Sequence, residues 1–458
     1  MTETTPEIAR TRMSRSTRPL AAAALGVLAI ALASCAAPST GSDDGSTAGT
    51  TEEHEEHDDH DHDGEDHEDH ADGHDDAEAT EASSRTPRLA LTYDGGILVV
   101  DATTLETVAD LQLDGFNRLA ALGDGRHVAV STTGGWAVLD AGTWSVPHGD
   151  HSHYYTAAPA LTDVLLEATT PGHAVHHDGL NAFFDDGTGD VTVVETSEWT
   201  DMVEHGHLHP IREYTTEHAH HGVAVATANG DLFVTRGDDS GRTGAMLLDA
   251  DDAEIAVDDQ CPGVHGESAA TDADGEEFIL AGCENGALVL RDGTFTKLAA
   301  PDAFGRIGNA FSVEGNDIVL GDYKTNEQGG IGLTQISLID LGTDTITPVD
   351  PFGGSDAEYT WRGLARGDDG EILVLGTDGV LRVLDTAGAQ VREIPVIDAW
   401  EVPEEWQTAH PALTVLDGMA YVTEPATGEL HAVDFSGGTV WKSGDLGRPT
   451  TEIAGVTG

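Results

Sequence analysis

Seven histidines and sixteen carboxylates fall within residues 52–78, where only Ala and Gly accompany them. His54, His57, His60, His62, His67, His70 and His74 recur every two to five positions. Neutral imidazole is a ligand for zinc, nickel and copper, and interleaved carboxylates draw cations in and add oxygen donors. A solvated acidic linker would account for the Asp and Glu but not for the imidazoles, so the segment reads as a metal-collecting arm. It has no side chains able to offset chain entropy and is expected to be disordered without metal. Such an arm follows ordinary affinity order and would take copper or nickel at least as well as zinc.

The other histidines crowd between His148 and His265. They come in clusters: HGDHSHYY at 148–155, PGHAVHHDG at 171–179, EHGHLHP at 204–210, HHGVAV at 220–225 and CPGVHGE at 261–267. For the exposed-looking group His205, His207 and His209, an auxiliary metal site and a plain polar turn are equally good readings. His127 and His431 sit inside strand-like patterns and read as packing residues.

What must position these side chains is a repeat. Short runs of Val, Leu and Ile flank a Gly-containing turn along the whole stretch from Pro87 onward, as in Leu89 to Val100 around Asp94-Gly95 and Ile372 to Leu384 around Asp378-Gly379. These are hairpin signals. Turns between the first two strands of a unit are placed at Asp94-Gly95, Asp124-Gly125, Asp178-Gly179, Asn229-Gly230, Asp274-Gly275, Gly315-Asn316, Asp369-Gly370 and Asp417-Gly418. Their spacing approaches that of four-stranded blades, and no amphipathic helix is expected between them. The expectation is an all-β chain forming a single β-propeller of eight blades, with seven as the alternative, behind the disordered His-rich arm.

In a propeller the innermost strands line the axis, so side chains from separate repeats converge only there. His221, His265 and His410 all precede an innermost strand, and His173 lies at the head of another. Trp361 and Phe116 hold the same offset elsewhere, so the position is not reserved for ligands. Imidazoles from different blades can approach one ion and leave its fourth position open. For each of His173, His221, His265 and His410 a polar channel residue hydrogen-bonded to water is the bland alternative. His151, His153, His177 and His220 complete the candidate metal set.

The N-terminus carries an address. Arg10, Arg12, Arg15 and Arg18 precede an apolar run at 20–32 that ends in LASC. That run is too short to cross a bilayer and reads as an export signal. LASC resembles a lipobox, which makes Cys35 the lipidated first residue. Three zones follow: 1–35 as lipoprotein signal, 36–86 as linker and metal-binding arm, and 87–458 as propeller. In an oxidising compartment the remaining pair, Cys261 and Cys283, favours a disulfide, with a Cys261, His265 and Cys283 metal site as the weaker alternative. A formal net charge of −62, from 21 basic and 83 acidic residues, excludes a nucleic-acid or anionic-lipid surface role.

The ordered motifs HGDHSHYY, PGHAVHHDG, HHGVAV and CPGVHGE, behind an Asp/Glu/His arm, resemble the AztD-type zinc metallochaperones from about Leu89 to the end. The resemblance implies an extracytoplasmic β-propeller that binds zinc (Zn2+) and delivers it to the solute-binding protein of a zinc ABC importer, aided by a flexible His-rich N-terminal segment. The known type is soluble and periplasmic, whereas Cys35 points to a form tethered to the cell membrane. A monomer without enzymatic activity is expected. The residues alone also permit a metal-dependent propeller enzyme, either hydrolase or copper redox protein, or a surface adhesion and metal-storage lipoprotein. Calcium sites of lactonase-like hydrolases need carboxylates and Asn, and the clustered groups here are imidazoles. No Ser-His-Asp, P-loop or haem-attachment motif is present.

Overall fold

A computed structural model describes residues 79–458. The signal at 1–35, Cys35 and the histidines of the arm lie outside the described residues.

The described chain folds into eight four-stranded antiparallel sheets, one of them extended by a two-residue strand, and one smaller three-stranded sheet. We number the eight as blades 1–8 in chain order. In blades 2–8 the first strand in sequence is the innermost, so the Gly turns from Asp124-Gly125 to Asp417-Gly418 each join a first strand to a second. Blade 1 differs. Its innermost strand is Ile453–Val456 from the C-terminus, paired with Arg88–Tyr93, so Asp94-Gly95 joins its second and third strands. This shared blade fastens the two ends of the propeller together, and local pattern cannot reveal it because the partners are more than 350 residues apart.

Both faces of every blade are covered, which is why the strands read as unbroken apolar runs. In blade 1, Leu89, Leu91, Leu98 and Val100 pack against Tyr421, Leu430 and Ala432 of blade 8. The alternate residues Ala90, Ile97 and Val99 pack against Val128, Val130 and Leu139 of blade 2. The two-residue period of a strand sends neighbours to opposite interfaces. Further clusters join each consecutive pair from blade 2 to blade 8. The succession of sheets is thereby closed, and no blade is left without a neighbouring face.

Two insertions break the repeat. A helix at Trp199–His205 lies between the third and fourth strands of blade 3, where the repeat pattern predicts none. Its seven residues are too few for a periodic signal, but Trp199 and Met202 are buried in the interface between blades 2 and 3. Gly206 ends it in the left-handed conformation, with φ at 70°. A hairpin, Thr143–His148 and His151–Thr156, is inserted ahead of the last strand of blade 2 and pairs with Thr80–Ala82. That strand falls in the stretch expected to be linker, and it is held by backbone pairing to the hairpin edge.

Candidate metal centre

Three consecutive blades supply the central cluster. His173 is the third residue of the inner strand Pro171–His177 of blade 3, His221 lies three residues before the inner strand Ala224–Ala226 of blade 4, and His265 opens the inner strand His265–Thr271 of blade 5. The Nε2 atoms of His173 and His265 are 3.3 Å apart, and those of His265 and His221 are 3.0 Å apart. A tetrahedral zinc ion with bonds of about 2.0–2.1 Å sets neighbouring nitrogens about 3.3–3.4 Å apart. The three imidazoles are spaced for one ion.

Their opposite nitrogens are all committed to acceptors. His173 Nδ1 donates to Glu267 Oε1 at 2.9 Å, His221 Nδ1 to Asp186 Oδ2 at 2.5 Å, and His265 Nδ1 to the Gly308 carbonyl at 2.6 Å. With the hydrogen on Nδ1, each Nε2 presents a lone pair toward the others. Three converging lone pairs repel one another unless a cation lies between them. This is the outer-shell arrangement that orients metal-binding histidines.

The outer shell is itself built in. Burial would raise the Glu267 carboxyl, but the His173 imidazole against it pulls its pKa below the usual carboxylate range. Asp322 accepts from the Gly308 amide and from Asn309 Nδ2 at 2.7 Å, fixing the loop whose carbonyl holds His265. That loop can approach because residue 266 is glycine: its φ is +68°, and a Cβ there would meet Gly308 at 2.5 Å. Cys261 and Cys283 are joined in a disulfide, which ties the segment leading into His265 to the second strand of blade 5. The thiols are therefore not metal ligands.

Electrostatics favour the neutral ligand form. Burial, then the neighbouring His173, pushes the pKa of His265 far below the ordinary histidine value, so this ring stays uncharged in acidic solution. The side chain of His221 is 45% exposed and that of His173 only 14%, so the site opens on the His221 side. His221 and His265 face a cavity of about 550 Å³ that also reaches Trp361 and Trp406. A water or an incoming donor atom can reach the fourth position from there.

The other candidates lie elsewhere. His410 does not join the cluster. It packs between Trp361 and Trp400, its Nδ1 donates to the Thr408 carbonyl at 2.7 Å, and the Arg362 guanidinium lies 3.1 Å away. A fixed positive charge at that distance opposes a dication. His177 is buried, with Nε2 against Glu277 at 2.8 Å, and His220 is buried between the His218 carbonyl and Thr235. His151 and His153 stand on the inserted hairpin and not on an inner strand. His127 and His431 are buried and paired with Asp124 and Glu424. His205 ends the inserted helix; His207 and His209 follow it, and His209 approaches Glu198 and Asp201. Asp186, Glu267 and Gly308 do not stand out in the sequence. The Glu two residues after His265 in CPGVHGE is the only local signal among them.

Fold and geometry together define a closed β-propeller in which three histidines from consecutive blades converge closely enough to hold one cation. Comparison with known proteins gives that class a specific counterpart. The chain is 25% identical over 356 residues to the zinc chaperone AztD of Citrobacter koseri, covering 73% of this chain and 78% of that protein. The crystal structure of Citrobacter koseri AztD superposes with a TM-score of 0.69 at 21% identity, covering 82% of this chain and 99% of that one. The apo structure of the same protein gives 0.68 at 20% identity, with the same coverage of both chains. A dihydro-haem d1 dehydrogenase, NirN, shares the fold more distantly, with a TM-score of 0.50 at 10% identity over 81% of this chain and 74% of that one. No protein-family model matches. The resemblance to AztD-type chaperones drawn from the ordered histidine motifs is thus met both in overall sequence and in fold.

Proposed function

We propose that this protein is an extracytoplasmic zinc chaperone that captures zinc and hands it to the solute-binding protein of a zinc ABC importer. One observation carries the reading: the Nε2 atoms of His173, His221 and His265 converge at 3.0–3.3 Å while each Nδ1 is held by a built-in acceptor. Similarity to a zinc chaperone supports zinc as the metal and delivery as the role.

The geometry suits delivery better than storage or catalysis. A site closed by four protein ligands holds zinc inertly, whereas three leave a coordination position for an entering group. A donor from the partner adds at the open position on the exposed His221 side. His221 is then the ligand best placed to leave, since its ring is the most accessible, while His173 and His265 keep the ion bound until the partner has a second contact. The acidic histidine arm at 52–78 serves as collector, and lipidation at Cys35 keeps the protein beside the importer on the membrane. The protein acts as a monomer that binds and transfers, not as an enzyme.

The test is direct transfer. Zinc-loaded protein is mixed with the apo solute-binding protein of a zinc importer encoded in the same genome, with a chelator present to trap free ion. Transfer faster than spontaneous zinc release supports the proposal; transfer limited by the release rate rejects a handover.

A further inference from the structure

The cavity at the channel mouth gathers positive charge in a chain that has little of it. Only 21 residues are Lys or Arg against 83 Asp and Glu, yet Arg118, Arg306 and Lys324 all line this one space of about 550 Å³. Asp322 is the one carboxylate among the lining residues, and its oxygens are already taken by the Gly308 amide and Asn309 Nδ2. Arg306 and Lys324 stand directly opposite each other. The amide of each donates to the carbonyl of the other at 3.0 Å, joining the two-residue strand Gly305–Arg306 to the chain just after Ile318–Tyr323. Like charges at opposed positions repel and weaken such a pairing. Neither has a carboxylate partner among the described residues: Arg306 Nη1 donates to the Gly263 carbonyl at 3.3 Å and Lys324 Nζ to the Gly329 carbonyl at 2.6 Å.

The third cation is also short of negative charge. Arg118 Nε lies 3.7 Å from Glu452 Oε1, but that same oxygen accepts from Arg362 Nη2 at 2.7 Å. The Arg118 side chain is 45% exposed, and its guanidinium sits 5.7 Å from the centre of the Trp406 ring. Trp406 in turn meets Trp361 edge-on at 6.0 Å, so the cavity sets a cationic rim against an aromatic wall. A guanidinium fork matches a carboxylate with two parallel hydrogen bonds, and an ammonium adds a compact charge. A cleft lined by one sign of charge concentrates the counter-ion. The volume lies within the range of about 300–1,000 Å³ usual for small-molecule pockets, and the aromatic wall suits a carbon body that an inorganic anion lacks.

We propose that this cavity binds a small polycarboxylate anion, held by Arg118, Arg306 and Lys324 with its carbon body against Trp361 and Trp406. His221 and His265 face the same cavity, so the anion lies on the open side of the histidine cluster. Three fixed positive charges oppose the approach of a dication, and a bound polycarboxylate offsets them. The anion site rests on the cationic side chains alone; only this bearing on metal entry rests on the proposed zinc site.

The probe is citrate, titrated calorimetrically into the metal-free full mature chain at low ionic strength. One citrate per chain is expected, and R118Q, R306Q and K324Q should each weaken it about 10-fold or more, since each removes a charge-assisted hydrogen bond. No binding at millimolar citrate, or unchanged affinity in all three variants, overturns the proposal. H173A/H221A/H265A should bind citrate as the parent does, so a failed zinc site and a failed anion site are read separately; loss of citrate binding in that variant assigns the anion to the rings and also overturns it. Inorganic phosphate should bind more weakly than citrate, and the reverse order rejects the carboxylate class. Deleting residues 52–78 should leave citrate affinity unchanged. Binding that appears only after the deletion shows that the arm's own carboxylates fill the cavity and rejects a free anion. Thermal melting of each variant accompanies the titrations, and Arg118, half exposed at the rim, is the position whose replacement leaves the blades intact.

Discussion

His221 and His265 face each other through their Nε2 atoms at 3.0 Å, although they are 44 residues apart and belong to different blades. In the proposed site, removing either ring takes away one of three ligands. H221A and H265A should each weaken channel zinc binding by more than the roughly 10–100-fold typical of outer-shell changes. Competition titration against a chromophoric chelator measures this, and unchanged affinity in both variants would place the ion elsewhere.

Asp186 and Glu267 touch no ion yet set the direction of two rings. D186N and E267Q should cost about 10–100-fold in channel affinity while leaving the number of channel ions at one. Because Glu267 is largely buried, thermal melting accompanies the titration. A loss of affinity without a matching loss of fold assigns the effect to ring orientation.

The disulfide between Cys261 and Cys283 encloses a sequence separation of 22 residues. A loop of that length is worth about 3 kcal/mol through the unfolded chain. C261S/C283S should lose about 2–4 kcal/mol of stability in denaturant titration and, because Cys261 leads into His265, bind channel zinc more weakly. A stable variant with weakened zinc binding would separate the two effects.

His410 gives the protein a specific acid sensitivity. Burial, then the adjacent Arg362, lowers its pKa to about 4, against about 6.5 for a free histidine. Between those values the unfolded chain takes up a proton that the folded chain refuses. The stability associated with the neutral ring is therefore present above about pH 6.5 and is lost as pH falls toward 4, amounting to about 3 kcal/mol. Denaturant titrations of the parent and H410Q at pH 7.5 and 4.5 should show a smaller pH-dependent loss in the variant; equal losses would refute the assignment.

Deleting residues 52–78 should slow zinc loading and handover at limiting zinc while leaving channel affinity nearly unchanged. Tethered weak ligands act at about millimolar effective concentration when the linker is short and flexible. Stopped-flow transfer with full and truncated chains tests this. Equal rates remove the arm from the mechanism, and a large loss of equilibrium affinity moves the tight site into it.

Local chemistry is enough for the repeat and for the side chains that could make up a metal site. A turn containing Gly between two apolar runs is written in neighbouring residues, and so is a histidine at or near the start of an inner strand, which is why His173, His221 and His265 can be picked out in the chain alone. The same local pattern puts His410 beside them, because its offset within its own repeat is equivalent. Only ring closure decides which repeats share a site: His173, His221 and His265 come from blades 3, 4 and 5, whereas His410 in blade 8 meets Arg362 and two tryptophans. The outer shell is invisible to local pattern for a related reason, since Asp186 and His221 are 35 residues apart and Glu267 and His173 are 94 apart. Pairing at that range is set by how blades pack, as is the return of Ile453–Val456 to the first blade and the docking of Thr80–Ala82 on the hairpin. Sequence by itself determined which side chains could bind metal and what repeat would carry them. Tertiary structure decided which of them meet, because convergence is a property of the closed ring and not of any one blade.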